Sequence, residues 1–338
     1  MNSPRSIFAS LKVALIADEP TRICLSHECR VMNLTPWNSL YIFDHWKPDL
    51  LLVESAWEGY RGSWRYGIAS YPDHPERNNA LLGCVVGRAR DESIPTIFWN
   101  REDGVHFDRF IASAGLFEHI FTVDENMIPH YRAALKDIAA LDVLMFAAQP
   151  AVHFPDPANV TVEPNRRLVF VGSYSRHIHP RRRLWQDMAF NAANNIGLTL
   201  FDRNSSRRSE QYRFPWRRWI NVRKAIAHTR TADVYRSYVA SLNVNTVDNS
   251  QTAFSRRLVE IMASGGLAVT NTTPSVMRHF RNFCETIDSE DEARVLFDRL
   301  ARDGWSRSDR ERMRAGVDHV LQHHTWRHRL GQIMERVS

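Results

Sequence analysis

The sequence predicts an α/β protein made of two tandem, doubly wound, Rossmann-like domains. Three observations support this fold class: a length of 338 residues, short apolar runs that alternate with amphipathic stretches, and a proline-rich break near the middle. A chain of this length usually forms more than one domain, and strands that alternate with helices form parallel sheets. We expect the first domain at residues 1–150, the second at 151–315, and a C-terminal helix at 316–338 that packs back toward the first domain.

The first domain contains five apolar runs that we predict as strands. They are KVALIAD, DLLLVES, TIFWN, HIFTVD and VLMFA. Helical stretches follow the later runs, namely NALLGCVVGRARD, HFDRFIASAG and MIPHYRAAL. The proline-rich stretch AAQPAVHFPDPANVTVEP then interrupts every periodicity, as a linker between domains does.

The same pattern resumes in the second domain. The predicted strands are RLVFVGSYS, LTLFDR, SLNVNTV, LAVTN and CETID, again separated by helices. Doubly wound sheets bind ligands outside the carboxyl ends of their strands. We therefore expect an interdomain cleft between the two sheets, with the ligands in it.

Composition narrows the class of protein further. No run of about 18 apolar residues is present, so the sequence predicts no membrane span. The four cysteines show neither zinc-site spacing nor a disulfide framework, which is typical of a reducing cytoplasm. The net charge of +6 favours anionic partners. We expect a cytoplasmic protein, with a peripheral position at the inner membrane face as the alternative.

One helix, predicted at 254–264, begins with an unusual pair of cations. Arg256 and Arg257 lie in its first turn, where the helix dipole is already positive and cations are unfavourable. Because helix N-termini bind phosphates, a diphosphate contacting Ser255 and Arg257 would explain the pair. Glu260, one turn further, could accept hydrogen bonds from a ribose diol. The alternative is a surface ion pair between Arg256 and Glu260, which would contribute about 0.3–0.5 kcal/mol.

This segment, FSRRLVEIMASGGLAVTN, resembles the donor-site helix of glycosyltransferases with the two-domain GT-B architecture. It is especially similar to the CgeB-like, spore-maturation-protein branch. The segments IPTIFWNREDGVHFDRF, FEHIFTVDENMIPHYR, LMFAAQPAVHFP and HTWRHRL resemble other parts of the same family. The resemblance covers residues from about 45 to 330.

The resemblance implies an enzyme that moves a sugar from a nucleotide-diphosphate donor, bound in the second domain, to an acceptor hydroxyl. It assigns Glu260 to the nucleotide ribose. Many retaining members carry a second glutamate that faces the sugar, but Thr252 occupies that position here. The donor sugar and the stereochemical outcome therefore stay open. Such enzymes neutralise the leaving diphosphate with helix dipoles and cations, so we expect no cofactor and no metal.

Further donor-site candidates follow strands of the second domain. Gly172 lets the backbone approach a ligand closely, and Ser173 supplies a hydroxyl. Arg176 is the predicted phosphate partner in the same loop, whereas Arg181 to Arg183 are expected to begin a helix. Arg203 and Asn204 follow the next strand and are assigned to the nucleotide pocket. A single glycine turn also occurs in loops that bind nothing.

The first domain supplies the candidates for acceptor chemistry. Glu102, Asp103 and His106 follow the strand TIFWN, and a carboxylate or an imidazole can take a proton from an acceptor hydroxyl. The alternative for Asp103 is a helix cap. Trp57 and Glu58 are predicted to form an acceptor platform, although a loop tryptophan is as often packed in the core.

Residues 203–224 form a basic segment that also contains aromatic residues. It contains eight arginines and lysines, one glutamate and four aromatic side chains. Such composition is typical of nucleic-acid binding, but it suits an anionic lipid, a lipid-diphosphate acceptor or a solvated loop equally well.

The sequence therefore predicts a metal-independent glycosyltransferase that acts on a glycan, a lipid-linked glycan or another acceptor. Two alternatives stay open at this point. One is a sugar-nucleotide epimerase or hydrolase of the same fold. The other is a nucleic-acid-binding protein, or a transferase that modifies DNA bases.

Overall fold

The computed structural model describes residues 6–136, 138–156 and 165–337. The chain divides into two compact units. The first comprises Met1–Gln149 and Trp326–Ser338, and the second comprises Pro150–Thr325. Residues 157–164 of the predicted linker lie outside the described residues.

The first unit contains a parallel six-stranded sheet with the order β2-β1-β3-β4-β5-β6. The strand order reverses between β1 and β3, which is the switch point of a doubly wound sheet. The strands are β1 (Lys12–Ile16), β2 (Arg30–Asn33), β3 (Leu50–Glu54), β4 (Thr96–Asn100), β5 (His119–Thr122) and β6 (Ala140–Val143). Strand β2 was not predicted, and β6 begins three residues before the predicted run VLMFA.

Helices cover both faces of this sheet, because its central strands are apolar on both sides. The helices are α1 (Glu19–Leu25), α2 (Ser39–Tyr41), α3 (Ala80–Asp91), α4 (Phe107–Ala114), α5 (Ile128–Ala134) and α12 (Trp326–Val337). A π-helical turn, Ile42–Trp46, continues α2. The α12 residues Trp326, Leu330 and Ile333 belong to one of the two cores of this unit.

The second unit contains another parallel six-stranded sheet, with the order β12-β11-β10-β7-β8-β9. This is the Rossmann order, with its switch point between β7 and β10. The strands are β7 (Asn165–Gly172), β8 (Leu198–Asp202), β9 (Ile220–Lys224), β10 (Tyr238–Leu242), β11 (Ala268–Thr270) and β12 (Glu285–Thr286). The edge strand β9 was not predicted, because its short run INVRK is mostly exposed and lies within the basic segment.

The helices of the second unit are α6 (Pro180–Ala192), α7 (Thr231–Ser237), α8 (Arg256–Ala263), α9 (Pro274–His279), α10 (Glu290–Asp303) and α11 (Arg307–His323). Helix α8 ends where the sequence predicts, since Gly265 adopts a left-handed φ of +75°. The predicted C-terminal helix at 316–338 is interrupted at His324, where α11 ends. Only the part from Trp326 onward groups with the first unit.

Among the described residues, no helix is long and apolar enough to span a membrane. The prediction of two doubly wound α/β domains is confirmed by the two parallel sheets and their helices.

Candidate functional site

The switch point of the second sheet holds an arginine from α8. The Nε of Arg257 donates to the backbone oxygen of Val171 at 2.6 Å, and its guanidinium lies 4.6 Å from the centre of the Phe170 ring. Its Nη1 is 3.4 Å from Oδ1 of Asn243, the residue after β10. The first turn of α8 therefore places a cation between the carboxyl ends of β7 and β10.

Gly172, at the end of β7, makes this arrangement possible. A Cβ atom at this position would lie 2.7 Å from Nη2 of Arg257 and 2.8 Å from the Phe170 ring. Real Cβ atoms do not approach other atoms so closely. Gly172 was predicted to let a ligand approach the backbone closely. In the structure it is the guanidinium of Arg257 that approaches there.

A second arginine reaches the same loop from α6. The Nη2 of Arg182 donates to the backbone oxygen of Ser173 at 3.0 Å, and the Oγ of Ser173 lies 3.4 Å away. Burial, together with the neighbouring charges of Arg257 and Arg203, lowers the pKa of Arg182 to about 9. Sequence reasoning missed Arg182, because it treated all three arginines at 181–183 as the start of a helix.

These cations are poorly compensated within the protein. Neither Arg182 nor Arg257 forms an ion pair with any of the described residues. Burial also lowers the pKa of Arg257. Because partly buried charges are costly without a partner, this pair is suited to an anionic ligand.

Arg203 and Asn204 follow β8 at the same edge of the sheet. The backbone N–H of Arg203 donates to the oxygen of Gly172 at 2.9 Å, which ties this turn to β7. The backbone N–H of Asn204 donates to Oδ1 of the buried Asp202 at 2.8 Å. Arg203 is exposed, and its charge acts on Arg182. Both residues thus lie beside the predicted pocket.

Arg176, the predicted phosphate partner, has a different setting. Its side chain is exposed, and its backbone N–H donates to the oxygen of Gln211 at 2.9 Å. Its own backbone oxygen accepts from Arg183. The contacts of Arg176 therefore join two loops, and Arg182 takes the place beside Ser173.

Ser255 is the N-cap residue of α8, but its side chain makes no capping hydrogen bond. Its backbone N–H donates to Oδ1 of Asn245 at 2.8 Å. Asn245 also contacts Thr270 and Asn271, so a buried amide network fixes the start of α8. The first-turn N–H groups of α8 and the Ser255 hydroxyl are the donors that a phosphate would need.

The ion pair between Arg256 and Glu260 that was the alternative is present, but its expected surface position is wrong, because Glu260 is 3% exposed. The Nε of Arg256 lies 2.8 Å from Oε1 of Glu260, with both groups inside the unit. Burial alone would raise the pKa of Glu260, but Arg256 and two nearby histidines lower it to about 2. Glu260 is therefore a buried carboxylate.

The two histidines are His153 and His228. The Nε2 of His228 lies 3.7 Å from Oε1 of Glu260, and ligand atoms of all three residues lie within 4.8 Å of one another. Two histidines and a glutamate are a known zinc ligand set. However, the Arg256 guanidinium already contacts the carboxylate, and a divalent ion there would meet a cation. The sequence-based expectation of no metal stays a prediction.

Asp103 lies in a buried polar cluster of the first unit. Asn100 Nδ2 donates to its Oδ1 at 2.7 Å, and the Tyr131 hydroxyl donates to its Oδ2 at 2.8 Å. Asp103 is 4% exposed, and burial raises its pKa to about 7. The alternative prediction of a helix cap is wrong, because α4 begins at Phe107 with His106 as its N-cap residue.

His106 lies beside the predicted platform. Its ring meets the Trp57 ring edge to face, with centroids 5.3 Å apart, and Trp57 also packs on Phe110. Burial lowers the pKa of His106, so the imidazole is neutral at pH 7. The backbone oxygen of Glu102 accepts from the N–H of His106 at 3.0 Å.

Glu58 points elsewhere, since its exposed carboxylate pairs with Arg65 at 2.8 Å. Its backbone N–H donates to Asp18, which belongs to an ion cluster at the switch point of the first sheet. There Arg101 contacts Asp18 at 2.7 Å and the buried Glu54 at 3.4 Å. Sequence reasoning missed this cluster, because its members come from three separate strand ends.

The sequence profile of the glycosyl transferase-like family matches residues 156–335, which is more than half of the chain. The chain belongs to this family. The matched region contains α8 and the two arginines at the switch point. None of the curated proteins matches it.

Solved structures resemble this chain at low sequence identity. An α-glucosyltransferase in complex with UDP and DNA containing an HMU base matches with a TM-score of 0.64 and 9% identity, over 97% of this chain and 100% of that one. HepE of Anabaena, in complex with UDP and glucose, matches with a TM-score of 0.59 and 10% identity, over 96% and 90%.

TarM matches with a TM-score of 0.52 and 9% identity, over 89% of this chain. The chain spans 57% of the length of TarM. At such identities the likenesses show a shared fold, the two-domain GT-B architecture that the sequence predicted.

Proposed function

We propose that this glycosyltransferase takes its sugar from a nucleoside-diphosphate donor bound at the switch point of the second sheet. The observation that supports this is the pair Arg182 and Arg257, two partly buried cations without an acidic partner among the described residues. They approach from two helices and meet at the end of β7, where Gly172 leaves no side chain in the way.

The proposed chemistry follows from this charge. When the bond between the sugar and the diphosphate breaks, negative charge develops on the leaving group. Cations and backbone N–H groups that are already in place stabilise that charge without reorganisation. We therefore propose a metal-independent transfer in which Arg182, Arg257 and the first turn of α8 bind the diphosphate.

The remaining donor residues are assigned by position. Gly172, Ser173, Arg203 and Asn204 surround the carboxyl ends of β7 and β8, on the same side as the two arginines. For Glu260, the predicted ribose contact stays a prediction. Its burial supports a positioning role instead, in which the carboxylate holds Arg256 in the first turn of α8.

On the acceptor side we propose His106 as the general base. Its neutral imidazole can accept a proton, and the adjacent Trp57 ring offers a flat apolar face to a sugar. Asp103 is the less suitable candidate for the general base. It is buried, and Asn100 and Tyr131 donate hydrogen bonds to its two oxygens. We assign it, together with Glu102, to the support of the loop that carries His106.

The branch of the family, the nucleotide of the donor and the acceptor are also proposals. The order of the quoted motifs supports the CgeB-like branch of GT-B enzymes. The UDP in the structures of the α-glucosyltransferase and of HepE supports UDP-sugars as the first donors to test. The DNA in the first of these supports a modified base as one acceptor to test, beside glycans and lipid-linked glycans.

Thermal-shift measurements with a panel of nucleoside diphosphates and nucleotide sugars test the donor proposal. A ligand at 100 times its Kd adds about 2.7 kcal/mol of stability, so a true donor raises the Tm. Arg182→Gln should abolish the shift, whereas Arg132→Gln, at an exposed arginine of the first unit, should leave it unchanged. If no nucleotide raises the Tm, or if both variants respond alike, the proposal is wrong.

A second measurement separates the transferase from an epimerase or a hydrolase. A transferase releases nucleoside diphosphate only when an acceptor is supplied. Release without any acceptor, at a rate that acceptors do not change, would favour a hydrolase or an epimerase of the same fold.

A further inference from the structure

We infer that an exposed basic strip on the second unit binds a strand of nucleic acid. The strip consists of Arg208, Trp216, Arg218, Arg223 and Lys224, which are all exposed. The inference rests on the contacts and charges of this strip, and it goes beyond the proposed donor site.

The strip is ordered because two other aromatic residues of the same segment anchor it. Phe214 is buried in the core of the unit, and Trp219 donates from Nε1 to the backbone oxygen of Phe190 at 2.8 Å. Trp216 lies between these two anchors, yet 85% of its surface is exposed. A large aromatic ring held in solvent by a fixed backbone is a ready stacking platform for a base.

Other cations of the segment 203–224 contact groups of the protein itself. Arg213 lies 3.9 Å from Asp202, and Arg217 donates to the backbone oxygen of Trp216 at 2.8 Å. Arg207 stacks over the Tyr212 ring. In contrast, none of the four cations of the strip forms an ion pair with a described residue, so their charge faces solvent.

Part of this charge lies along β9 and part lies in the segment before it. β9 is the edge strand of its sheet, and Arg223 and Lys224 lie at its carboxyl end. Arg218 lies in the turn just before the strand, where the N–H of Ile220 donates to the oxygen of Arg217 at 3.0 Å, and at about 3.3 Å per residue the strand itself then extends for roughly 13 Å. An extended polyanion can therefore contact both ends of the strip, with one base on Trp216.

A nucleic-acid strand fits this surface better than a membrane does. Peripheral membrane binding needs a broad apolar face, usually along an amphipathic helix. This segment is a short 3-10 turn, Glu210–Tyr212, followed by a strand, and Trp216 and Val222 are its exposed large apolar side chains. Isolated aromatic rings among cations are typical of single-strand binding.

Fluorescence anisotropy with a labelled 12-nucleotide oligo(dT) tests the inference on the full-length chain. We expect binding that weakens steeply with salt, because bound cations release counterions. The triple variant Arg218→Glu, Arg223→Glu, Lys224→Glu should lose about tenfold or more in affinity and show a shallower salt dependence. Trp216→Ala should lose about 5- to 100-fold, and Trp216→Phe should recover part of that loss.

The matched control is Arg132→Glu, Arg281→Glu, Arg314→Glu, which makes the same change of charge at exposed arginines outside the strip. It should bind nearly as well as the parent. Equal losses in both triple variants would show that net charge alone attracts the oligonucleotide. The inference is also overturned if the parent binds no oligonucleotide, or if it prefers phosphatidylserine vesicles to oligo(dT).

Nucleoside-diphosphate binding, measured by thermal shift on the same variants, keeps the two proposals apart. We expect it to be unchanged in both triple variants, and the Tm without ligand reports whether each variant is folded. Lost oligonucleotide binding with intact diphosphate binding assigns the effect to the strip.

Discussion

The switch points of the two sheets contain arginines in opposite electrostatic settings. In the first sheet, Arg101 lies between the carboxylates of Asp18 and Glu54, at 2.7 and 3.4 Å. In the second sheet, Arg182 and Arg257 contact backbone oxygens and an amide, with no acidic partner among the described residues.

The contrast between the two switch points shows that the topology of a sheet provides a place for a ligand. The topology does not determine whether the protein groups at that place are neutral or positively charged. The first switch point is neutralised by the protein itself, with Thr21 and backbone N–H groups satisfying the carboxylates. At the second, Glu260 acts on Arg257 from within the unit, but neither Arg182 nor Arg257 forms an ion pair with a described residue, so an external anion can bind there. For this reason we assign the diphosphate to the second unit.

The largest expected effect is on stability, at the neutralised switch point. Arg101→Ala should destabilise the protein by about 3 kcal/mol, at the lower end for breaking a buried ion pair, because Asp18 remains partly exposed. The free energy of unfolding in urea measures this. Arg257→Ala is the comparison, and we expect it to lose no more than about 1 kcal/mol without ligand, as for one hydrogen bond. Equal losses would erase the contrast between the two regions.

The next effect is on ligand binding, at the cationic switch point. Arg257→Ala should weaken a nucleoside diphosphate by about 1.5–3 kcal/mol, the usual range for a hydrogen bond to a charged group. The corresponding nucleoside has no phosphate, so its affinity should barely change. Arg256→Ala should matter less, because Arg256 pairs with Glu260. Calorimetry that found equal losses for nucleoside and diphosphate would show that α8 does not face a phosphate.

The third prediction contrasts two buried carboxylates. Burial raises the pKa of Asp103 from 3.8 to about 7, so its contribution to stability is complete below pH 4 and is lost as the pH rises to 7. The lowered pKa of Glu260 has the opposite effect, since that contribution is lost below pH 4.5.

Asp103→Asn should therefore gain stability relative to the parent on going from pH 5 to pH 8, by roughly 2–3 kcal/mol, because pH 5 lies two units below the raised pKa and one pKa unit corresponds to about 1.4 kcal/mol. Urea unfolding at the two pH values measures the change. A parallel pH dependence in parent and variant would mean that Asp103 is already ionised at pH 5.

The smallest effect is expected at Arg176, the cation that the sequence favoured. Its side chain is exposed, so Arg176→Ala should change diphosphate affinity and stability by less than about 0.5 kcal/mol. Arg182→Ala is the matched variant from the same segment. If Arg176→Ala proved the more damaging of the two for diphosphate binding, the cationic site would include the 176 loop and our description of it would be incomplete.

The sequence predicted the sheets because their strands are short apolar runs between amphipathic stretches. Arg257 was predictable for a similar reason, since a cation in the first turn of a helix is locally unfavourable and requires an explanation. Arg182 was not, because three consecutive arginines open α6 and nothing in the sequence says which one turns toward β7.

Other features lacked any local signal. Strand β9 alternates apolar and polar residues only over residues 220–223, which is too short a run to stand out within the basic segment. His153 lies in the proline-rich stretch and meets His228 and Glu260 only through the fold. Asp103 was found as a residue of interest, but its partner Tyr131 lies 28 positions away, so neither its hydrogen bonds nor its shifted pKa could be foreseen.

Helix α12 also has a consequence for how the protein is made. The strands of the first unit leave the ribosome early, whereas Trp326, Leu330 and Ile333, which complete one of its cores, come last. At about 5–20 residues per second, the synthesis of Pro150–Thr325 takes on the order of ten seconds or more. During that interval, the part of the nascent first sheet that α12 covers is open to chaperones, and the second unit has time to fold before the first is finished.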